Sequence, residues 1–355
     1  MLGLLSLRIH QEHEYFTEIA KRSKRYQIPV VRFTPSHIDP STEMVTGLLF
    51  NHETQDWKKE TFPLPSYIYD RCFYNQSSAS KAAKPIVEWL KKRPQTVFLG
   101  HGLPDKLQLY SILSKNPMIS PYLPITKQAT IDRVWNTLLK TRELVLKPMN
   151  GSQGNGYCHL SLRRHEINIK MQQKEIQRYT FSSKDAFLTW LSKLLQDKPY
   201  IQQPFLSIQE NSQPFDIRIL LQKNEEGLWT EAGRAVRIGE AHSLVSNLAA
   251  GSQPISYDEW KRTLAKHTGI MLEEAIVTLI KTVPETLEKE LPPLFELGLD
   301  LSLDRGHAVW LLDINSKPGR KVLLASNPSC KEQLYGAPLA YCRYLARHSK
   351  GADVR

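Results

Sequence analysis

The chain has 355 residues, which is long for one hydrophobic core, so two or three packed units are expected. Its composition, with 41% hydrophobic and 23% charged residues and no low-complexity tract or repeat, excludes disordered and solenoid proteins. The formal net charge of +11 favours polyanionic partners such as nucleotides, nucleic acid or an acidic polymer.

The basic residues are spread along the chain, with short clusters at 21–25 and 91–93 where helices are predicted to end. Cations are favoured at helix C-termini, so these clusters are interpreted as solvated helix ends rather than a specific nucleic-acid site. A nucleic-acid binder stays open as an alternative that rests on charge alone. The four cysteines form no metal-binding pair and suit a reducing compartment.

The apolar N-terminus meets Arg8 at once and is too short for a signal segment. Nowhere do the roughly 18 apolar residues that a membrane span needs follow one another. We therefore expect a soluble, cytoplasmic protein with no membrane insertion.

Residues 1–115 alternate strand and helix signals and are predicted to form an α/β domain with a largely parallel, open sheet. In chain order, the predicted elements are strand 4–9, helix 12–26, strand 29–33, a hairpin of 48–50 with 58–62, strand 67–70, helix 81–92 and strand 96–99. Ligands of such sheets bind beyond the C-terminal strand ends. Asp70, Arg71 and His101 lie there and are candidates for contacts with a ligand.

Three prolines between residues 117 and 124 mark the start of a second unit, predicted to run over 116–203. Its predicted elements are helix 130–140, strand 144–147, a glycine loop at 151–156, antiparallel strands 166–171 and 175–181, helix 184–195 and strand 200–203. A third unit, 204–355, is predicted to contain strands 216–222 and 228–238, a loop at 243–254, a helical region 257–291, a hairpin at 295–314 and a closing helix at 331–348.

A strand that ends in Lys147 precedes a loop with three glycines, Gly151, Gly154 and Gly156. Glycines let backbone N–H groups approach phosphate oxygens, and the lysine adds a positive charge. The loop is not a Walker A loop, because Gly-Lys-Ser/Thr is absent, and no helix follows it as in a dinucleotide-binding fold. A phosphate site and a plain hairpin turn both stay open from this pattern.

Near the C-terminus, Asp300 lies on one strand of the predicted hairpin, and Asp313 and Asn315 lie on the other. Residues two apart on a strand share a face, and the hairpin brings Asp300 alongside them. Two carboxylates and an amide oxygen suit Mg²⁺ shared with phosphates, whereas a polar strand face is the structural alternative.

Arginines follow on neighbouring predicted strands at Arg218, Arg234 and Arg237. Such residues usually form surface ion pairs of small energy. Beside a metal–phosphate site they would instead stabilise the charge that develops during phosphoryl transfer.

Together and in this order, the motifs resemble the ATP-grasp superfamily, and more narrowly the YheC/YheD-like group, described as endospore coat-associated ATP-grasp proteins of Gram-positive spore formers. The stretches that carry the resemblance are residues 69–72, 105–110, 146–156, 215–218 and 313–320. It covers essentially the whole chain. The implied fold is an α/β (α+β) ATP-grasp fold in which 1–115 is a pre-ATP-grasp domain, 116–203 the small subdomain and 204–355 the large one.

The resemblance also implies roles for single residues. Those implied to bind ATP are Lys106 and Lys147 at the α/β-phosphates, Gly151, Ser152, Gln153, Gly154 and Gly156 in the loop over the β/γ-phosphates, Gln202 and Gln203 in the hinge strand beside adenine, and Glu210 at the ribose. Those implied to bind Mg²⁺ are Asp300, Asp313 and Asn315. Those implied to lie near the transferred phosphate or the acyl intermediate are Arg218, Arg234 and Arg320.

The implied activity is that of an ATP-dependent carboxylate–amine (or thiol) ligase with an acyl-phosphate intermediate and a small-molecule or peptide-like acid. Such catalysis needs positioning and charge neutralisation, and neither a Ser–His–Asp nor a Cys–His set is visible. The alternative is a catalytically silent, nucleotide-binding structural protein associated with the spore coat. Two departures from the family pattern bear on it: Asp313 replaces the more usual glutamate, and Gly298 stands where ligases of D-alanine have an arginine.

Overall fold

The computed structural model describes residues 1–75, 77–151, 154–173, 175–210, 213–240 and 253–349. Within these ranges the chain forms three β-sheets with helices packed against them. The mixed α/β class expected from the sequence is confirmed.

The first sheet has a parallel centre, β2-β1-β6-β7, extended by an antiparallel hairpin. Its strands are β1 (Leu2–Leu5), β2 (Val30–Phe33), β3 (Ile38–Asp39), β4 (Met44–Asn51), β5 (Asp56–Pro63), β6 (Tyr67–Asp70) and β7 (Val97–Phe98). The helices of this part are α1 (His13–Tyr26), α2 (Ser78–Lys91) and α3 (Lys106–Leu113). Every residue of β1 and β2 is buried, as is typical of parallel strands covered on both faces.

The second sheet has the strand order β12-β11-β10-β9-β13-β8. Its strands are β8 (Lys127–Gln128), β9 (Glu143–Pro148), β10 (Cys158–Arg163), β11 (Glu166–Gln172), β12 (Ile176–Phe181) and β13 (Tyr200–Pro204). Two helices, α4 (Ile131–Thr141) and α5 (Lys184–Asp197), share a hydrophobic core with one of its faces. On the opposite face, β10, β11 and β12 carry mainly polar side chains.

The third sheet contains β14 (Gln209–Glu210), β15 (Gln213–Lys223), β16 (Trp229–Ile238), β17 (Gln253–Ser256), β18 (Glu296–Leu303) and β19 (Val309–Asn315). The helices that follow its strands are α6 (Tyr257–Lys261), α7 (Lys266–Glu290), α8 (Lys321–Ser326) and α9 (Lys331–Ser349). All eight residues of β18 are buried. Its leucines pack into the core with α7, while Glu296, Gly298 and Asp300 alternate with them and occupy the other face.

The last helix returns to the first sheet. Residues of α9, among them Leu339 and Tyr341, share a hydrophobic core with Leu2, Leu4 and Phe16. Helix α9 is thereby packed against α1 and β1, and the first and third sheets become parts of one body.

Two differences from the predicted elements matter for the site. The first strand ends at Leu5 rather than residue 9, because Ser6 and the following residues enter the loop before α1. Helix α3 was not predicted; it is eight residues long, and Asp105 caps it by accepting hydrogen bonds from the backbone N–H groups of Leu107 and Gln108. The predicted loop at 243–254 lies outside the described residues as far as residue 252.

Candidate functional site

A cleft of about 420 Å³ lies between the second and third sheets and is bordered by α3. Its polar lining comes from Lys106, Tyr110, Thr126, Lys147, Gln203 and Asp313. Its apolar lining comes from Leu109, Leu113, Leu123, Pro124, Ile201, Leu311 and Ile314. An apolar slot with cations and a carboxylate at one end suits a ligand that has a flat ring system and a charged tail.

Two lysines from different elements meet at the polar end of the cleft. Lys106 is the first residue of α3, and its Nζ donates a hydrogen bond to Asp313 Oδ1. Lys147 lies near the end of β9, and its Nζ is 3.4 Å from the carbonyl oxygen of Leu312. The structure therefore brings together two cations that are 41 residues apart in the chain.

The Lys147 ammonium is an unusually acidic one. Burial, and then the neighbouring charge of Lys106, lower its pKa from 10.5 to about 8, while Asp313 and Asp300 oppose this shift. A half-buried ammonium without a carboxylate in direct contact is costly, so this end of the cleft favours a bound anion.

This shift predicts a pH dependence of stability. Between pH 8 and 10.5 the unfolded chain holds a proton on Lys147 that the folded chain has lost, so this residue makes the free energy of unfolding rise with pH in that window. We expect the free energy of unfolding of the wild type, relative to that of Lys147→Met, to increase from pH 8 to pH 10.5. Urea denaturation of both proteins at each pH measures this quantity. A difference that stays flat or falls would contradict the partial burial of the ammonium.

The glycine loop follows β9. Gly154 and Gly156 have φ angles of 71° and 82°, in the left-handed region. A Cβ at Gly156 would also lie 2.9 Å from Lys198 Nζ and 3.0 Å from Pro148, so a side chain is excluded there on two grounds. Gly151 lies beside Pro148. Ser152 and Gln153 fall outside the described residues.

The two hinge-strand glutamines point to opposite faces of the second sheet. Gln203 lines the cleft, and its Nε2 donates to Thr126 Oγ1 at 2.7 Å. The Nε2 of Gln202 donates instead to Thr137 Oγ1 of α4 at 2.8 Å, on the helix side. The backbone of Glu210 pairs with Gln213 in β14 and β15, and its side chain is not among the described ones.

The acidic hairpin forms with the register that the sequence suggests. Asp300 lies directly opposite Asp313, and Gly298 lies opposite Asn315. Asp313 contacts Lys106, whereas the Asn315 side chain forms no hydrogen bond within the described part of the chain. Asp313 and Asn315 therefore present oxygens toward the cleft side of β19.

Asp300 is held differently, because two arginines neutralise it. Arg218 donates to both of its carboxylate oxygens, and Arg237 Nη2 lies 3.1 Å from Oδ1. Burial alone would raise the pKa of Asp300, but Arg218 and then Arg237 lower it to about 2. Arg237 also donates to Asp216 at 2.6 Å, which completes a buried chain of alternating charges across β16, β15 and β18.

Gly298 is required by the packing of this face. A Cβ on it would lie 2.7 Å from Pro318 Cβ and 3.7 Å from Arg218 Cδ. The side chain of Arg218, which comes from the neighbouring strand, packs beside this position. The absence of a side chain at Gly298 thus leaves room for a guanidinium beside Asp300.

The other two predicted arginines do not join the cleft. Arg234 pairs with Glu231 and with Glu273 of α7, on the face of the sheet opposite to Arg237. Arg320 is buried at the boundary with the first sheet, where it donates to Glu296 and to the Tyr69 hydroxyl. Arg218 alone of the three lies beside the acidic hairpin.

Arg320 belongs to a buried network that joins the first and third sheets. Arg71 is fully buried and donates to both Glu12 and Glu296, at 2.7 Å each for Nε and Nη1. Tyr69 donates to Glu296 at 2.7 Å. This set (Glu12, Tyr69, Arg71, Glu296, Arg320) is called the interface network below. Its two carboxylates and two guanidiniums balance in charge.

Two of the three candidate ligand contacts at the strand ends of the first sheet, Arg71 and Asp70, are held in ion pairs. Arg71 belongs to the interface network, and Asp70 Oδ2 pairs with Lys317 Nζ at 2.8 Å. His101 is half-buried near Phe98, and burial and then Lys91 lower its pKa. Sequence reasoning missed Glu12 and Glu296; the alternation of Glu296, Gly298 and Asp300 on one face of a strand was the available signal.

No group of three or more acidic, histidine or cysteine side chains in the described ranges is arranged as a metal site. No helix in those ranges is long and apolar enough to span a membrane.

Two lobes of mixed α/β structure that enclose such a cleft define an ATP-grasp fold. The structure is similar to that of the D-cycloserine synthetase DcsG, with a TM-score of 0.54 and 13% identity over 97% of this chain and 99% of the other. It is also similar to the D-alanine-D-alanine ligase of Coxiella burnetii, with a TM-score of 0.51 and 13% identity over 99% and 97% of the two chains.

A sequence profile described as YheC/D like ATP-grasp matches residues 95–345, and the chain belongs to this family. It is 42% identical to the endospore coat-associated protein YheC of Bacillus subtilis (strain 168), over 97% of this chain and 95% of that protein. It is 24% identical to the endospore coat-associated protein YheD of the same organism, over 80% of this chain and 63% of that protein. The family that the motifs suggested is confirmed.

Proposed function

We propose that the chain binds MgATP in the cleft and is an ATP-dependent ligase that joins a carboxylate to an amine or thiol. The observation that carries the proposal is the meeting of Lys106, Lys147 and Asp313 at the end of an apolar slot. The slot would take the adenine ring, with Gln203 at its edge. The lysines would neutralise the phosphates, and the loop with Gly154 and Gly156 would cover them.

The residues at the hairpin fit Mg²⁺, which binds proteins through one or two carboxylates and completes its shell with water and phosphate oxygens. Asp313 and Asn315 would hold it. The Asn315 side chain has no hydrogen-bond partner in the ranges described. Asp313 pairs there with Lys106, which would bind the ATP phosphates instead when the nucleotide is present. Both carboxylate oxygens of Asp300 accept hydrogen bonds from Arg218, so Asp300 would not bind the ion directly. Its negative charge would stabilise the ion from a distance. When bound, the ion would supply neutralisation of phosphate charge.

The chain's own residues then account for the reaction. A substrate carboxylate attacks the γ-phosphorus of ATP, ADP leaves, and the acyl phosphate is captured by an amine or thiol with release of phosphate. Lys106 and Lys147 stabilise the leaving phosphates, and Arg218 stabilises charge at the transferred group. In this proposal residues 116–203 and 204–355 are the two lobes that hold the nucleotide, and residues 1–115 help to form the acid pocket. Their boundaries stay a prediction.

A second candidate is a nucleotide-binding structural protein without catalysis. It is favoured by the complete engagement of Asp300 with arginines and by the name of the relatives, which are described as endospore coat-associated. An association with the spore is proposed on the same ground.

Release of phosphate from ATP distinguishes the two candidates. We expect at least one pool of carboxylates, supplied together with amines and thiols, to stimulate phosphate release by the wild type and not by Asp313→Asn. An unchanged melting temperature of the ligand-free variant shows that it is folded. MgATP binding without stimulation by any pool would favour the silent protein.

A further inference from the structure

The polar face of the second sheet carries a row of basic side chains that begins beside the cleft. His159 of β10, Lys170 of β11 and Arg178 of β12 lie directly opposite one another across the three strands. Side chains of directly paired residues point to the same face. We call Lys170 and Arg178 the cation row; burial lowers the pKa of His159, so its ring links the row to the cleft wall without adding a positive charge near pH 7.

The cation row is continuous with the cleft wall. His159 lies opposite Val145 of β9, and Val145 lies opposite Gln203, which lines the cleft. Lys147 is two residues from Val145 on the same strand and therefore on the same face. One face of one sheet thus leads from the phosphate end of the cleft to Arg178.

The charges of this row are incompletely compensated. Like charges directly opposite each other destabilise a sheet, and Lys170 and Arg178 are such a pair. Neither forms an ion pair within the ranges that the structure describes. The carboxylates on this face are Glu143, 3.5 Å from His159, and Glu166, opposite Arg163, so both lie beside other basic side chains. Arg178 is exposed and Lys170 is half-buried, which leaves both accessible to a ligand.

We propose that the acid which this protein activates is a peptide, and that Asp or Glu side chains of that peptide bind Lys170 and Arg178. The proposal rests on the proposed function, because it assumes that the reacting carboxylate lies near Lys147. Charge complementarity selects an acidic ligand. In the next row Thr180 donates to Asn168 Oδ1 at 3.0 Å, and this pair presents further polar atoms on the same face for a peptide backbone, whereas Ser161 is buried.

A nucleic acid fits this face less well. The aromatic ring that accompanies the row, Phe205, is already stacked on His159 at 4.2 Å and offers no free platform for a base.

The sheet sets the expected spacing in the peptide. Three steps between neighbouring strands, of about 4.8 Å each, separate β9 from β12, so Arg178 is roughly 14 Å from the strand of Lys147. An extended peptide rises about 3.3 Å per residue, so the acidic side chains should lie about four residues from the reacting carboxylate.

Fluorescence anisotropy tests the inference without ATP. The probe is a labelled peptide with two glutamates about four residues from its C-terminal carboxylate, and its control has glutamine at both positions. We expect Lys170→Gln/Arg178→Gln to raise the Kd of the glutamate peptide about tenfold or more, as for loss of charge-assisted contacts. Lys58→Gln/Lys59→Gln, which removes two charges from the hairpin strand β5, should change the Kd less than about twofold.

Equal Kd values for the glutamate and glutamine peptides, or equal losses in the two double variants, would overturn the inference. Single-stranded DNA that binds more tightly than the peptide and loses affinity in Lys170→Gln/Arg178→Gln would overturn the assignment to a peptide. Thermal stabilisation by MgATP, measured in the same variants, separates the two proposals. Intact ATP binding with no peptide binding removes this inference alone, whereas peptide binding without ATP binding removes the proposed function.

Discussion

Replacing Lys147 by alanine is expected to remove most of the thermal stabilisation that MgATP gives to the wild type. Its ammonium is half-buried at the polar end of the cleft beside Lys106, and no carboxylate contacts it directly. A phosphate in that position would gain a charge-assisted hydrogen bond, whose loss costs about 1.5–3 kcal/mol and raises the Kd roughly 10- to 100-fold. At a nucleotide concentration about tenfold above the wild-type Kd, the variant should therefore show about a third of the wild-type shift or less.

The same variant should be no less stable than the wild type without ligand, because it removes a cation that is costly to bury. This separates a binding role from a structural one. Lys140→Ala, an exposed lysine in the last turn of α4, is the matched control and should keep the full MgATP shift. An unchanged shift in Lys147→Ala would remove Lys147 from the phosphate site.

Replacing Glu296 by glutamine is expected to destabilise the protein by about 3–5 kcal/mol, as does removal of one partner from a buried ion pair. Glu296 is 3% exposed and accepts hydrogen bonds from Arg71, Arg320 and Tyr69. Without its charge, two guanidiniums face each other at the boundary between the first and third sheets. Urea denaturation measures the free energy of unfolding.

Two further variants make this prediction specific. Glu43→Gln breaks the exposed pair between Glu43 and Arg93 and should leave the free energy of unfolding close to wild type. Adding Arg320→Leu to Glu296→Gln should recover part of the loss, because the remaining pair of Glu12 and Arg71 is balanced in charge. A loss below about 1 kcal/mol for Glu296→Gln would show that water reaches the interface network.

The local patterns in the sequence were sufficient for much of the fold. Alternating strand and helix signals predicted the parallel centre of the first sheet, and the hairpin of β18 and β19 formed with Asp300 opposite Asp313. A two-residue repeat fixes which side chains share a face of a strand, so the shared face of Asp313 and Asn315 could be predicted without tertiary information. The ATP-grasp fold and the family are confirmed by the comparisons; the roles of the site residues stay predictions.

Helix α3 escaped prediction because it is short and weakly amphipathic, and its capping residue, Asp105, was its main local signal. It nevertheless positions Lys106, whose place against Asp313 depends on the packing of α3 on α7. The separation of Arg234 from Arg237 follows from strand alternation, but that Arg234 meets α7 could not be read from a strand pattern.

The sequence by itself determined the order of most strands and helices, α3 excepted, together with the glycine turn after Lys147 and the acidic hairpin, because these depend on residues close in the chain. Tertiary structure alone decided which cation meets which carboxylate. Arg218 and Arg237 neutralise Asp300, Lys106 contacts Asp313, and Arg71 and Arg320 are drawn to Glu296. Ion pairing depends on distance and burial between residues far apart in the chain, and these are fixed only when the sheets pack.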